Sequence, residues 1–214
     1  IKELPVREGD TVSRGQLLVR FDRAKAEASY LESRAKAAAL EATIARLQAE
    51  LYDSEPDFPP ALDDYPEFKN NQLVLLNKRR TALNESIASL TEMKALIGEE
   101  LRLNEPLLKT GDVSRADILR LRRQMVDIGN QLSSKKNQYL QDTQAELAKA
   151  EEELAGVTQI LAQRREQVEG TEIFAPMDGV VRNVRITTLG GVARPGDEIL
   201  QIVPLEDDLI IEAK

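Results

Sequence analysis

Few residues in this chain could carry out chemistry, because the side chains most often used for it are absent. The 214 residues include no cysteine, histidine or tryptophan. This composition excludes thiol nucleophiles, imidazole bases and metal sites built from histidine or cysteine. The net charge of −8 also argues against a nucleic-acid partner, since phosphate contacts need a surplus of lysine and arginine. We therefore predict that the protein is not an enzyme.

An acidic run is the one candidate for cation binding. It comprises Asp53, Glu55, Asp57, Asp63 and Asp64. The run lacks the glycine and the alternating ligand spacing of an EF-hand loop, and several prolines interrupt it. These features favour a solvated linker, and we predict no metal site and no cofactor.

The strongest candidate for an interaction site is a short connection at residues 106–114. Gly111 predicts the end of one helix, while Ser114 and Asp117 form an S-x-x-D capping box for the next. Those caps leave three apolar residues unexplained: Leu107, Leu108 and Val113. Exposed apolar groups at the end of a solvated helical rod often mark a contact.

The elements that position this connection are predicted to be three long helices, at about 23–53, 66–105 and 115–170. The second carries the seam Leu76, Leu83, Leu90 and Ile97, and such strict sevens indicate a coiled coil. Prolines predict a loop at 54–65, and Pro106 with Gly111 predicts the end of the second helix.

The second and third helices should be antiparallel neighbours, because only a short turn joins them. Facing positions should then have residue numbers that sum to roughly 222. Arg80 and Asp142 meet this condition, so we predict a partly exposed ion pair between them. The first helix should lie along the rest of the third, and the excess length predicts a three-helix overlap, a bend or a longer third helix.

The two ends of the chain share a glycine pattern that predicts a split β-domain. Gly9 and Gly15 are six residues apart, as are Gly190 and Gly196, and in both cases apolar residues follow at three and six positions. Such glycines suggest tight turns before short strands. The predicted fold class is α+β, mostly α, with an antiparallel helical hairpin inserted into a small β-domain.

The end segments resemble the lipoyl (biotinyl-carrier-like) domain of periplasmic adaptor proteins, also called membrane fusion proteins. The resemblance rests on residues 6–12 and 173–181, which read VREGDTV and IFAPMDGVV. Residues 171–176, 188–192 and 195–196 are most similar to the hemolysin D branch, which serves type I secretion.

This resemblance implies a domain organisation. Residues 1–22 and 171–204 would be the two halves of the lipoyl domain, and residues 23–170 the helical hairpin. Residues 205–214 would begin a membrane-proximal β-barrel domain, and the chain would be a fragment that lacks an N-terminal membrane anchor. The lipoyl-domain turns are assigned to Gly9, Gly15, Gly179, Gly190 and Gly196.

The resemblance also implies partners. They are an inner-membrane ABC transporter, a TolC-like outer-membrane channel, a secreted protein substrate and further copies of the chain in a ring, expected to be hexameric. Localisation would be the periplasm of a Gram-negative bacterium, with anchoring to the inner membrane.

In such adaptors the hairpin tip docks on the channel through an arginine, a leucine four residues later and a serine or threonine seven beyond. Leu107 and Ser114 match, whereas the first position is Leu103 and the nearby arginine is Arg102. The predicted docking residues are Arg102, Leu107, Leu108, Thr110, Gly111, Asp112, Val113, Ser114 and Arg115.

Three alternatives remain open from the sequence. A drug-efflux adaptor would share the architecture, although the three-helix insertion and residues 58–60 (FPP) favour protein export. A cytosolic coiled-coil scaffold is the second. The third is a true carrier domain with an acylated lysine, for which Lys25 is the nearest candidate, but Lys25 falls in a predicted helix.

Overall fold

The computed structural model describes residues 1–185, 191, 193 and 196–205. Two predictions lie outside these residues: the turn at Gly190, and the further domain at 205–214 except for Leu205. The chain divides into two compact units. One unit comprises Ile1–Arg34 and Thr158–Lys214, and the other comprises Ala35–Val157.

Three long helices and five short strands make up the described structure, as the predicted fold class requires. The helices are α1 (Ala24–Tyr52), α2 (Pro66–Thr110) and α3 (Arg115–Glu169), with a 3-10 helix at Pro60–Asp64. The strands are β1 (Thr11–Val12), β2 (Leu17–Arg20), β3 (Glu172–Phe174), β4 (Gly179–Arg182) and β5 (Gln201–Pro204).

The β-strands pair residues from opposite ends of the chain. Antiparallel β4 lies between β1 and β5, and a second antiparallel pair joins β2 to β3. The buried core of this unit likewise draws on both ends: Val6, Val12, Leu18, Val19, Ala175 and Val181. Neither end can bury its apolar face alone, which is why the strands form one split domain.

The predicted glycine turns have two different physical causes. Gly9, Gly15 and Gly196 have φ angles of 94°, 81° and 93°, which side chains rarely adopt. Gly179, in contrast, is buried in β4 rather than in a turn, so its assignment as a turn residue was wrong. A Cβ atom there would lie 2.4 Å from Ile202 Cγ2 and 2.6 Å from the Val203 carbonyl oxygen.

We expect Gly179→Ala to destabilise the β-unit by about 1–3 kcal/mol, because the added methyl must displace the backbone of β5. The matched control is Gly156→Ala in α3, where a Cβ atom meets no neighbour within 4 Å. That change should raise stability by up to about 1 kcal/mol, since alanine favours helix. Urea unfolding followed by circular dichroism measures both, and equal effects of the two substitutions would contradict the close-packing argument.

In the unit Ala35–Val157, α2 runs parallel to α1 because the connection between them folds back. Leu62 is fully buried against Ala38 and Ala42, about three turns before the end of α1. From there the contacts advance along both helices: Gln72 bonds to Thr43, and Arg80 to the Ala49 carbonyl. The connection is thus a packed return segment as well as an acidic linker.

The overlap of three helices was one of the predicted possibilities, and it is what the structure has. Leu47 of α1 packs with Leu147 and Ala150 of α3, beside the α1–α2 contacts. α1 and α3 begin and end within one residue of their predicted limits.

The predicted register of α2 against α3 is close to the observed one, but the predicted ion pair is wrong. A Cβ atom at Gly98 would contact Met125, and one at Gly129 would contact Lys94. The residue numbers in each of these facing pairs sum to 223, compared with the predicted value of roughly 222. Arg80 instead turns towards the end of α1. Its Nη2 donates to the carbonyls of Ala49 and Ser54 at 3.0 and 2.6 Å, and Asp142 accepts a bond from Gln138.

A buried polar network, which we did not predict from the sequence, joins the three helices. The Glu50 side chain is fully buried, and it forms ion pairs with Arg46 and with Arg79 Nε, the latter at 3.0 Å. The Tyr139 hydroxyl donates to the same carboxylate at 2.8 Å. Burial, followed by this hydrogen bond, raises the pKa of Tyr139 to about 12, so the phenol stays a neutral donor at physiological pH.

Candidate docking surface at the α2–α3 turn

We predicted that α2 ends at residue 105, before Pro106. This prediction is wrong, because α2 continues through Pro106 to Thr110. A proline removes only one helical N–H donor, and the bonds that hold the last turn do not depend on it. The amide N–H groups of Gly111 and Asp112 both donate to the Leu107 carbonyl. Gly111 has φ 85° and ψ 3°, the left-handed conformation of a helix C-cap.

The turn is fixed further by side-chain hydrogen bonds at both helix ends. Thr110 Oγ1 lies 3.0 Å from the Leu107 carbonyl oxygen and 2.5 Å from Asp112 Oδ2. Ser114 Oγ accepts the N–H of Asp117 at 3.2 Å and donates to its carboxylate at 2.7 Å. The predicted cap at Ser114 is therefore confirmed, and the connection is a defined structure rather than a loose loop.

The apolar residues of this surface differ in exposure. Leu107 and Leu108 are exposed, as predicted, whereas Val113 is half-buried. Ile118 and Leu121 of α3 are buried behind the turn. Two adjacent leucines thus remain available to a partner at the end of the α2–α3 pair.

Arg102 does not share a face with Leu107. Five residues along a helix correspond to about 140° of rotation, so the two side chains point to different sides of α2. Arg102 is exposed and lies 3.9 Å from Glu99. The position four residues before Leu107 is occupied by Leu103, which is also exposed. Leu103 lies seven residues after Leu96, and this heptad spacing is the sequence signal that could have identified Leu103 as part of an exposed seam.

The other sequence candidates lie in the helices and in the connection between α1 and α2. Lys25 is exposed in the first turn of α1. Among the described residues there is no cluster of three or more potential metal-ligating side chains. Asp63 of the acidic run pairs with Lys69. Across the same residues, no helix has the length and hydropathy needed to cross a membrane.

Comparisons with known proteins agree on one family. Residues 1–203 match the family model described as RND MFP, barrel-sandwich hybrid domain. The type I secretion system membrane fusion protein PrsE of Rhizobium meliloti is 27% identical to this chain. The alignment covers all of this chain and 60% of PrsE. The alkaline protease secretion protein AprE of Pseudomonas aeruginosa is 26% identical, and the chain spans 61% of it.

A solved structure shows the same fold. The soluble domain of LipC, a membrane fusion protein of a type I secretion system, superposes with a TM-score of 0.65 and 24% identity. The superposition covers 95% of each chain. Since the match to the family model spans nearly the whole sequence, the chain belongs to the RND MFP family with a barrel-sandwich hybrid domain.

Proposed function

We propose that this chain is the periplasmic part of an adaptor subunit in a type I secretion system. It would join an inner-membrane ABC exporter to an outer-membrane channel and enclose the path of a secreted protein, without catalysing a reaction. Full-length copies would be anchored to the inner membrane and assemble as a ring. The names of its relatives support secretion over drug efflux, because PrsE and AprE are both described as secretion proteins.

The observation that carries the proposal is the α2–α3 turn. Leu107 and Leu108 are exposed beside a left-handed glycine cap and a serine cap. Capping fixes the backbone that presents the leucines, so docking would cost little conformational entropy. Leu107, Leu108, Thr110, Gly111, Asp112, Val113, Ser114 and Arg115 are the proposed docking residues, and Arg102 is a peripheral one.

A drug-efflux adaptor is the second candidate. The description of the matched family model includes the term RND and does not mention protein secretion. The architecture alone does not distinguish a drug-efflux adaptor from a secretion adaptor. The transported molecule separates them: deletion of the gene would block export of a protein in one case and raise drug sensitivity in the other.

Site-specific photo-crosslinking tests the docking. With a photoreactive amino acid in place of Leu107, ultraviolet light should link this protein to an outer-membrane channel subunit in cells of the native host. The same probe at Val74, which is exposed on the same helix, should give no such product. Links from position 107 only to the exporter, or to no outer-membrane protein, would contradict the docking assignment.

A further inference from the structure

Two stripes on the α2–α3 pair expose apolar side chains that lie around one charged residue each. On α2 the stripe consists of Leu96, Glu100 and Leu103, and on α3 of Leu119, Arg122 and Val126. Leu96 is 62% exposed and Val126 is 61% exposed, and Leu103 and Leu119 are exposed as well. Each apolar pair has the sevenfold spacing of a coiled-coil seam, which indicates a helical partner for each stripe.

The stripes lie on opposite faces of the helix pair. Leu96 precedes the half-buried seam residue Ile97 by one position, whereas Leu119 and Val126 follow Ile118 and Met125 by one. One step along a helix turns the side chain by about 100° about the helix axis. Because α2 and α3 run in opposite directions, a step back along α2 and a step forward along α3 turn in the same sense in space. The two seams face each other, so the α2 stripe lies on one side of the pair and the α3 stripe lies on the other.

We propose that the partner is a second copy of this chain, and that the α2 stripe of one copy packs on the α3 stripe of the next. This inference rests on the proposed ring and names its helical contact. Opposite faces are the arrangement that a head-to-tail ring requires, because each subunit contacts one neighbour with each face.

The register of the two stripes supports this pairing. Cyclic symmetry places neighbouring copies at the same height, so contacts between them should follow nearly the same antiparallel register as within one copy. At a sum of 222, which is one less than the sum of 223 found within the chain, Leu96 meets Val126, Glu100 meets Arg122 and Leu103 meets Leu119. Apolar residues then face apolar residues, and the acid faces a base.

The surface of α3 also has the shape and charge to receive such a neighbour. Leu119, Arg122, Arg123, Val126 and Asp127 line a groove of about 320 Å³. Arg122 uses Nη2 for Glu105 of its own chain, at 2.8 Å. Its other guanidinium nitrogens remain for the Glu100 carboxylate of the neighbour.

Disulfide cross-linking tests the contact, because residues 1–214 contain no cysteine and any cysteine in the rest of the full-length protein can be replaced by serine. Two differently tagged copies, one with Leu103→Cys and one with Leu119→Cys, are expressed together as full-length protein in the native host and mildly oxidised. We expect a linked dimer that carries both tags, and a ladder of larger species when one chain carries both substitutions.

The matched control combines Leu103→Cys with Val126→Cys, which is one heptad, or about 10 Å, out of register. It should give at least tenfold less product. Glu100→Arg should lower the yield of the correct pair several-fold, whereas Glu99→Arg should not, because Glu99 lies beside Arg102 of its own chain. Equal yields from the two cysteine pairs would overturn the proposed register.

The absence of the linked dimer would also overturn the inference, and the mass of the membrane-extracted protein then shows what failed. An oligomer without the cross-link means that the copies meet through other surfaces, while the proposed ring stands. A monomer in cells that secrete normally means that the ring itself is wrong.

Discussion

Replacing Leu107 with aspartate is expected to abolish protein secretion while lowering the free energy of unfolding by only about 1–2 kcal/mol. The side chain is 40% exposed, so the fold loses part of a leucine's packing, and the new charge lies unfavourably in the last turn of α2. Only its carbonyl oxygen takes part in the turn, where it accepts the bonds from Gly111 and Asp112. A buried carboxylate in the docked complex would, however, be left without a partner.

The measurement is the amount of exported protein in the culture medium, with thermal unfolding of the purified variant in parallel. Val74→Asp is the matched control, since it places the same charge on an exposed site of α2. That variant should secrete normally. A Leu107→Asp protein that reaches the membrane and secretes at the normal rate would remove the docking role from this turn.

Replacing Glu50 with alanine should destabilise the helical unit by about 3 kcal/mol or more. The carboxylate is fully buried and accepts bonds from Arg46, Arg79 and Tyr139. Its loss leaves the guanidinium of Arg46, which is 4% exposed, with only a 3.6 Å contact to Glu146 and a bond to Gln72. Removal of one partner from a buried ion pair typically costs about 3–5 kcal/mol.

Glu146→Ala provides the control, because Glu146 contacts the same two arginines but its side chain is 44% exposed. Its loss should cost at most about 1 kcal/mol, as is usual for exposed pairs. Urea unfolding, followed by the circular dichroism of the helices, gives the free energy of unfolding of each variant. Similar losses for both would show that the network contributes no more than a surface ion pair.

The network also explains how the three helices, whose heptad seams are alike, adopt one axial register. Heptad seams of leucine and alanine tolerate a shift by seven residues, since the same residue types then face each other. A buried carboxylate that must meet Arg46, Arg79 and Tyr139 tolerates no such shift. We infer that Glu50 fixes the register of α1 against the α2–α3 pair.

Local sequence patterns determined the elements of this protein. Apolar spacing indicated the helices, while the proline-rich loop, Gly170 and the S-x-x-D cap at Ser114 placed the limits of α1 and α3 within one residue. These signals depend on neighbours within about one helical turn, so they can be read along the chain. The resemblance of the glycine-patterned ends likewise led to the family that the comparisons show.

Tertiary structure alone decided which residues from distant segments meet. Arg80 had the right number to face Asp142, yet it bonds to carbonyls at the end of α1, because the connection folds back and brings α1 beside α2. Gly179 is needed for a close approach of β5 rather than for a turn. In both cases the deciding partner is distant in sequence, so propensity and spacing could not reveal it. The end of α2 is different, because the Gly111 cap that holds its last turn is local and we had given Pro106 too much weight as a helix breaker.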